Sequence, residues 1–168
     1  VPQVSSRVPR AGVVFAIMVP SAFLLATAAF ALLVYASLSS DLTYLYVWSH
    51  SSASLEPVYK LSAVWAGGEG ALLLCTWLIA LVAFLETSVL PSEGRTSREF
   101  KVALGGVMSA LLAFFSLTTL MSGAFDHTPD ASLAAAPDGL GLDVLLQTPE
   151  MALHAPLIFV SYASLAAV

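Results

Sequence analysis

Residues 61–85 read LSAVWAGGEGALLLCTWLIALVAFL, a stretch in which Glu69 is the one acidic or basic side chain. A helix needs about 20 predominantly apolar residues to cross the hydrocarbon core of a bilayer, so this stretch is long enough to span it. The whole chain has the same character, because 58% of its 168 residues are hydrophobic, 10% are charged and the mean hydropathy is +0.88. These values lie well outside the composition of a soluble domain. The sequence therefore predicts a membrane protein.

Four apolar stretches of this kind are predicted to span the membrane, namely residues 11–38, 61–85, 102–125 and 149–168. Backbone polar groups in lipid must be satisfied within their own segment, so we expect all four to be α-helices. The predicted fold is an all-α polytopic membrane bundle of about four transmembrane helices, joined by loops at residues 39–60, 86–101 and 123–148. The last stretch has no basic flank or polar terminator and the chain opens on Val1, so we expect part of a longer protein.

Basic residues are concentrated in two of the polar segments. Two arginines precede the first predicted span, three basic residues lie in residues 86–101, and Lys60 is alone in the other loops. The positive-inside rule places the arginine-rich segments on the cytoplasmic or matrix side. Residues 39–60 and 123–150 are therefore predicted to face the outer side.

Glu69 is the first candidate functional residue. It follows Lys60 by nine positions, which in a continuous helix is about 13 Å and places the carboxyl within hydrocarbon. An ionisable group there indicates a functional site by default, and the three glycines beside it permit close approach of another helix. Two interpretations stay open: a protonated or hydrogen-bonded Glu69 that joins two helices, or a proton relay.

His154 is the second candidate, in the stretch TPEMALHAP. Thr148 and Pro149 form a typical helix start, which places His154 about one and a half turns into the fourth predicted span. A neutral imidazole at that depth can ligate a metal ion or haem iron. Glu150 lies one turn earlier and could accept a hydrogen bond from the other ring nitrogen. The alternative is an interfacial histidine that contacts lipid headgroups.

Aromatic residues mark the first outer loop, where Tyr44, Tyr46 and Trp48 alternate with other residues. This pattern is typical of an aromatic belt at headgroup level. Trp48 could instead be a platform for a flat ligand, because an exposed aromatic ring buries a large area with fixed geometry. His50 and His127, in the two outer loops, are interpreted as solvated side chains.

The second outer loop is rich in proline and glycine and is predicted to be mostly irregular. Asp143 is expected to cap one short turn over residues 144–147. The chain has no nucleotide-binding loop, paired metal-ligand spacing or nucleophile elbow, so nothing supports catalysis of the kind seen in soluble enzymes.

Two blocks of the sequence resemble the CcmF family of haem-handling proteins in cytochrome c maturation. Residues 46–74, YVWSHSSASLEPVYKLSAVWAGGEGALLL, are similar to a family segment in which an outer loop leads into W-G-x-x-E-G-S-L-L-L-W. Residues 138–162, DGLGLDVLLQTPEMALHAPLIFVSY, are similar to G-x-x-L-N-P-L-L-Q-D-P-x-x-x-x-H-P-P-x-L-Y-x-G-Y. The departures from these patterns are Ala66, Ala71, Cys75, Asp143, Val144, Thr148 and Ala155.

The resemblance implies an N-terminal part, or a split subunit, of a membrane haem lyase, with residues 1–168 inside a haem-handling domain. By match, His154 is a haem axial ligand on the outer face, with Glu150 as a possible second-shell partner and Trp48 as a possible haem platform. Trp65 and Glu69 are motif residues to which the resemblance assigns no role.

The implied cofactor is haem, and the implied localisation is a bacterial or archaeal cytoplasmic membrane or a mitochondrial inner membrane. The implied partners are a haem chaperone of the CcmE type, apocytochrome c, and a remaining part of the lyase that carries the tryptophan-rich WWD segment and a second outer histidine. We match neither of those features here, nor the family's two membrane histidines. This chain is therefore expected to be a component of the lyase and not an independent enzyme. The alternatives are an ion or solute transporter subunit that uses Glu69, and a structural scaffold subunit.

Overall fold

The computed structural model of the protein describes residues 10–89 and 94–165, with side chains described at 17–88 and 103–165. The helices are α1 (Arg10–Ser39), α2 (Leu45–His50), α3 (Pro57–Ala63), α4 (Gly68–Phe84), α5 (Gly94–Ser122), α6 (Asp130–Ala135) and α7 (Pro149–Leu165). A π-helical turn, Leu85–Val89, follows α4, and a 3₁₀ turn, Val144–Leu146, precedes α7. In the described ranges the only extended pairing is an isolated antiparallel bridge between Tyr44 and His127.

Three of the helices are long and apolar enough to cross a membrane, over Ile17–Ser39, Gly68–Ser88 and Ala103–Ser122. The prediction of an all-α membrane bundle is thereby confirmed. The described part of α7 has 17 residues, or about 25 Å of helix, at the lower end of the length that spans a bilayer. A fourth span therefore stays a prediction.

Helix α4 occupies the centre of the bundle and packs against α1, α5 and α7. Half of its membrane-spanning window is buried, compared with 11% for α1 and 22% for α5. The largest cluster of buried side chains consists of Leu74, Cys75, Leu78, Ile79 and Ala80 of α4 with Leu112 and Ala163. Both a membrane span and a buried helix are apolar on every face, so the central position of α4 is shown by its contacts and not by its composition.

Two hydrogen bonds link α4 to its neighbours inside the apolar region. The Thr76 and Thr119 hydroxyl oxygens are 2.8 Å apart, and the Trp77 indole N–H donates to Thr27 Oγ1 at 3.1 Å. Away from water a polar side chain must find a protein partner. These bonds therefore fix how α4 faces α5 and α1.

The predicted second span, residues 61–85, is not one helix. Helix α3 ends at Ala63, a turn follows, and α4 begins at Gly68 with Gly67 as its N-cap. The turn contains hydrogen bonds from the amides of Val64, Trp65 and Ala66 to carbonyls three residues earlier. Apolar composition predicted a continuous helix, and the break arises from contacts with α2 that are distant in sequence.

Residues 40–67 and 123–148, which contain the loops predicted to face outward, form one structure at one end of the bundle, which we call the cap. Five backbone hydrogen bonds of 2.8 to 3.1 Å join them. The bonded pairs are Leu45 with Asp126, Thr43 with Thr128, Ala53 with Asp138, Trp48 with Leu140, and Ser51 with Gly141. Buried backbone groups require such partners, so these loops are ordered against each other.

Three local predictions agree with the structure. Asp143 accepts a hydrogen bond from the Leu145 amide at 2.9 Å and caps the 3₁₀ turn. Helix α7 begins at Pro149, with the Ala152 amide bonded to the Thr148 carbonyl. The loop expected to be mostly irregular is so, although it also contains the six-residue helix α6, in which Asp130 occupies the first turn, where a negative charge is favourable.

Candidate functional site

A cleft of about 150 Å³ lies where the turn between α3 and α4 faces the start of α7. Its lining residues come from the two sequence blocks singled out above: Ser62, Trp65 and Ala66 on one side, and Leu146, Met151, His154 and Ala155 on the other. Trp65 and His154 are 89 positions apart in sequence. The fold therefore brings two of the predicted site residues into one cleft at the cap end of the bundle.

The geometry of α7 explains why His154 faces this cleft. Met151, His154 and Ala155 are spaced at i, i+3 and i+4, which places them on one helix face. The approach to α7 is held by Gln147, whose Nε2 donates to the Leu142 carbonyl at 2.8 Å.

The imidazole of His154 is exposed, and within the described residues it makes no hydrogen bond. Glu150 is also exposed and does not line the cleft. The hydrogen bond predicted between these two side chains is therefore not formed in this structure. Both ring nitrogens of His154 are left available to a ligand.

The indole of Trp65 carries an unpaired hydrogen-bond donor. Its nitrogen is buried and has no hydrogen-bond acceptor among the described residues. Burying such a donor without a partner costs about 1–3 kcal/mol. Because the nitrogen is buried, a ligand in the cleft would contact the ring of Trp65 and not this N–H.

The turn that carries Trp65 is held by Tyr46 of α2. The Tyr46 hydroxyl lies 2.9 Å from the carbonyl oxygens of both Ala63 and Val64 and accepts a hydrogen bond from the Gly67 amide at 3.1 Å. Burial is the main cause of a pKa for Tyr46 well above its ordinary value, and the Glu69 charge contributes to it, whereas the Gly67 hydrogen bond opposes it. The hydroxyl therefore stays protonated and keeps donating.

Two glycines of the WAGGEG motif make room for this contact. A Cβ at Gly67 would meet the ring of His50, with Cε1 at 2.7 Å, and a Cβ at Gly70 would overlap the Val64 carbonyl oxygen and the Tyr46 hydroxyl. The imidazole of His50 stacks on the Tyr46 ring with centroids 4.6 Å apart. Gly67 and Gly70 are therefore required by packing at the break.

His50 itself is partly buried and not a free solvated side chain, which corrects its interpretation from sequence. Its Nδ1 lies 2.8 Å from Ser49 Oγ and 3.1 Å from the Tyr46 carbonyl oxygen. His127 is exposed and stacks on Tyr44 at 6.1 Å. Neither histidine lines the cleft of His154.

Glu69 lies beyond the break, so the path of about 13 Å along one helix from Lys60 does not apply to it. It is in the first turn of α4 and partly buried, and its depth in the membrane stays a prediction. A carboxylate is stabilised at a helix N-terminus by the helix dipole. The position of Glu69 therefore has a structural explanation that requires no proton pathway.

Trp48 lies apart from the cleft. Its indole N–H donates to the Ala136 carbonyl at 2.9 Å, and its own backbone carbonyl accepts from the Leu140 amide. It joins the two halves of the cap. Within the described residues no group of three or more histidine, cysteine, aspartate or glutamate side chains could hold a metal ion, so any metal bound here would depend on a ligand such as His154 and on partners elsewhere.

The roles of Tyr46 and His50 at the break were not predicted from the sequence. Their i, i+4 spacing on α2 and the three glycines at 67, 68 and 70 were the available signals, because paired glycines indicate a close approach by other groups. The identity of the approaching group could not be read from the glycines alone.

The sequence is similar to those of known cytochrome c-type biogenesis proteins. The cytochrome c-type biogenesis protein CycK of Rhizobium meliloti is 33% identical over 145 residues, 83% of this chain and 20% of that protein. The cytochrome c-type biogenesis protein CcmF of Haemophilus influenzae is 34% identical over 138 residues, 80% of this chain and 20% of that protein. The chain belongs to the CcmF family. The probable cytochrome c-type biogenesis protein NrfE of Escherichia coli is also similar, 33% identical over 143 residues, 85% of this chain and 25% of that protein.

The chain spans about a fifth to a quarter of the length of these CcmF-family relatives. No family model matches the sequence. No solved structure matches it either. The cleft is thus described within a segment that, in the relatives, is part of a much larger protein.

Proposed function

We propose that this chain takes part in cytochrome c maturation as part of a membrane haem lyase, with His154 as an axial ligand that holds haem at the outer face. The observation that most directly supports this proposal is that His154 and Trp65, from the two blocks that resemble the CcmF family, line one cleft at the cap end of the bundle. The names of the relatives, cytochrome c-type biogenesis proteins, support the general role.

The cleft suits haem as one wall of a site. Its apolar lining by Met151, Ala155 and Trp65 fits a porphyrin face, and a neutral imidazole is a common iron ligand. Its volume of about 150 Å³ is below the roughly 300–1,000 Å³ of a complete small-molecule pocket. The exposed His154 leaves the cleft open on one side, where other parts of the protein would complete it.

The residues of this chain would bind haem and orient it. His154 would hold the iron, and Trp65 on the opposite wall of the cleft would contact the porphyrin. The chemistry that bound haem supplies is its vinyl groups, which form thioether bonds with the cysteine thiols of apocytochrome c. Holding a reactant in one orientation lowers the entropic barrier of such a step.

The remaining assignments belong to this proposal. Residues 39–60 and 123–150 are placed on the outer side, as their scarcity of basic residues suggests. The partners are a haem chaperone of the CcmE type, apocytochrome c, and a further part of the lyase that provides the WWD segment and the second axial histidine. Trp48 as a haem platform would require a surface of the cap separate from the cleft of His154.

The test is the visible absorption spectrum of the purified membrane complex with His154→Ala, at matched haem supply. We expect loss of one haem component and its recovery on addition of imidazole, after subtraction of any b-type haem held elsewhere. His127→Ala is the matched control, because His127 is exposed on the cap but does not line the cleft. An unchanged spectrum with normal cytochrome c maturation in His154→Ala would contradict the proposal and favour a transporter or scaffold role. Glu69→Gln would then distinguish these two roles, because only a transporter would lose its activity.

A further inference from the structure

The break between α3 and α4 sets the wall of the cleft opposite His154. Ser62, Trp65 and Ala66 line that wall, and all three lie within or beside the turn that separates the helices. If residues 61–85 formed one continuous helix, these side chains would point in directions fixed by that helix. The cleft therefore depends on whatever keeps the helix broken.

The hydrogen-bond partner of the Val64 carbonyl determines whether the helix is broken. In a continuous helix it would accept from the amide of Gly68, four residues later. Within the described residues its partner is instead the hydroxyl of Tyr46, at 2.9 Å. Val64 is fully buried, so its carbonyl oxygen cannot turn to water.

Tyr46 satisfies both sides of the break with a single hydroxyl. Its one proton is shared between the carbonyl oxygens of Ala63 and Val64, each 2.9 Å away, and its oxygen accepts from the amide of Gly67, the N-cap of α4. The tyrosine ring is held by the stack with His50 and by the space left at Gly67 and Gly70. Removing the hydroxyl would leave the Val64 carbonyl unpaired and favour a continuous helix, because that restores its bond.

We propose that Tyr46 is a positioning residue for the His154 cleft: by holding the carbonyls of Ala63 and Val64 at the break, its hydroxyl fixes Trp65 and Ala66 as the wall opposite the imidazole. This inference rests on the proposed function of that cleft. Tyr46 does not line the cleft itself. Its effect on a ligand would therefore be indirect, through the positions of Trp65 and Ala66.

The test is a titration of the purified membrane complex with ferric haem, following the component that His154→Ala removes. Tyr46→Phe keeps the ring and removes the hydroxyl, and we expect it to weaken binding about five- to tenfold, the equivalent of one lost hydrogen bond. Added imidazole should restore the component in His154→Ala and leave Tyr46→Phe unchanged, because the tyrosine variant retains its ligand. Tyr44→Phe is the matched control, since the Tyr44 hydroxyl makes no hydrogen bond within the described residues.

A double-variant comparison separates positioning from general stability. If Tyr46 acts through the wall, Tyr46→Phe combined with Trp65→Phe should bind no more weakly than Trp65→Phe alone, whereas independent effects multiply. If Tyr46→Phe does not fold, Gly67→Ala provides the same test, because its Cβ would displace the His50 and Tyr46 rings, with Gly68→Ala, which meets open space, as its control.

The outcomes distinguish the two proposals. Wild-type binding by Tyr46→Phe, or by Gly67→Ala if that variant is used, together with lost binding in His154→Ala would overturn the positioning role and leave the function of the cleft intact. Multiplied effects in the double variant would overturn it as well. Unaltered binding in His154→Ala would overturn the proposed function, and the role of Tyr46 with it.

Discussion

The indole nitrogen of Trp48 donates a hydrogen bond to the backbone carbonyl of Ala136 at 2.9 Å, across 88 positions of sequence. The backbone carbonyl of the same tryptophan accepts from the amide of Leu140 at 2.8 Å. One residue of the first cap segment is thereby bonded twice to the second cap segment. Because the cap also carries the turn that lines the His154 cleft, its order bears on the site.

Replacing Trp48 with phenylalanine should loosen the cap without unfolding the bundle. The change removes one partly buried hydrogen bond, worth about 1 kcal/mol. Hydrogen exchange at the amides of Leu140 and Gly141, which bond to Trp48 and Ser51, should accelerate about fivefold, as that free energy implies. Exchange within α4 should stay constant, and equal protection of the cap in variant and wild type would contradict the assignment.

Thr119 of α5 should contribute to the stability of the bundle more than its neighbour Thr118. Thr119 pairs with Thr76 of α4 at 2.8 Å, whereas Thr118 bonds to the Phe114 carbonyl in its own helix. Interhelical hydrogen bonds in membrane proteins are worth about 0.6 kcal/mol on average and up to about 1.7 kcal/mol. Thr119→Val should therefore lower the free energy of unfolding in detergent by that range, and Thr118→Val by less. Equal losses would mean that the two helices do not depend on this pair.

The membrane bundle could be predicted from the sequence because its causes are local. Long apolar runs must form helices in lipid, and the helix start at Thr148 and the cap at Asp143 depend on residues next to the turns they stabilise. His154 faces the cleft through spacing on a single helix, so that part of the candidate site was also accessible.

The break before α4 could not be predicted in the same way, because its cause lies in another element. Apolar composition favours one helix over residues 61–85, and only the hydroxyl of Tyr46, 18 positions before Val64, replaces the missing intrahelical bond. The path assumed from Lys60 to Glu69 does not hold for that reason. Pairing of the two cap segments is likewise long-range, so the bond of Trp48 was not foreseen.

Gly70→Ala should destabilise the protein, whereas Gly68→Ala should not. A Cβ at Gly70 would overlap the Val64 carbonyl oxygen and the Tyr46 hydroxyl, while a Cβ at Gly68 meets no atom within 4 Å. Overpacking of this kind costs about 1–3 kcal/mol, and alanine at a compatible position stabilises by about 0.4–1 kcal/mol. Unfolding of both variants in the same detergent measures the difference. A neutral Gly70→Ala would show that the close approach at the break can relax.

Tyr46 should also contribute a pH dependence at the alkaline end. Its pKa in the folded state is raised above the ordinary tyrosine value of 10.0, mainly by burial, so the unfolded state loses this proton first as the pH rises. The contribution is fully present below pH 10 and is lost as the pH rises from there toward the folded-state pKa. Unfolding measured from pH 8 to 11 should show a steeper alkaline loss of stability in wild type than in Tyr46→Phe, and parallel profiles would contradict the burial of this hydroxyl.

Trp65→Phe should affect ligand binding more than stability. In the structure the Trp65 indole nitrogen is buried without an acceptor among the described residues, so removing it also removes an unsatisfied donor and offsets the packing lost with the smaller ring. Trp77→Phe is the matched control, because the Trp77 indole bonds to Thr27 Oγ1 at 3.1 Å and that bond, about 1 kcal/mol, would be lost in addition. Trp65→Phe should therefore unfold at a free energy closer to wild type than Trp77→Phe does. Phenylalanine also shortens the cleft wall opposite His154, so the same variant should bind ferric haem more weakly than wild type. Equal destabilisation by the two substitutions would contradict the assignment of the Trp65 indole as an unpaired donor.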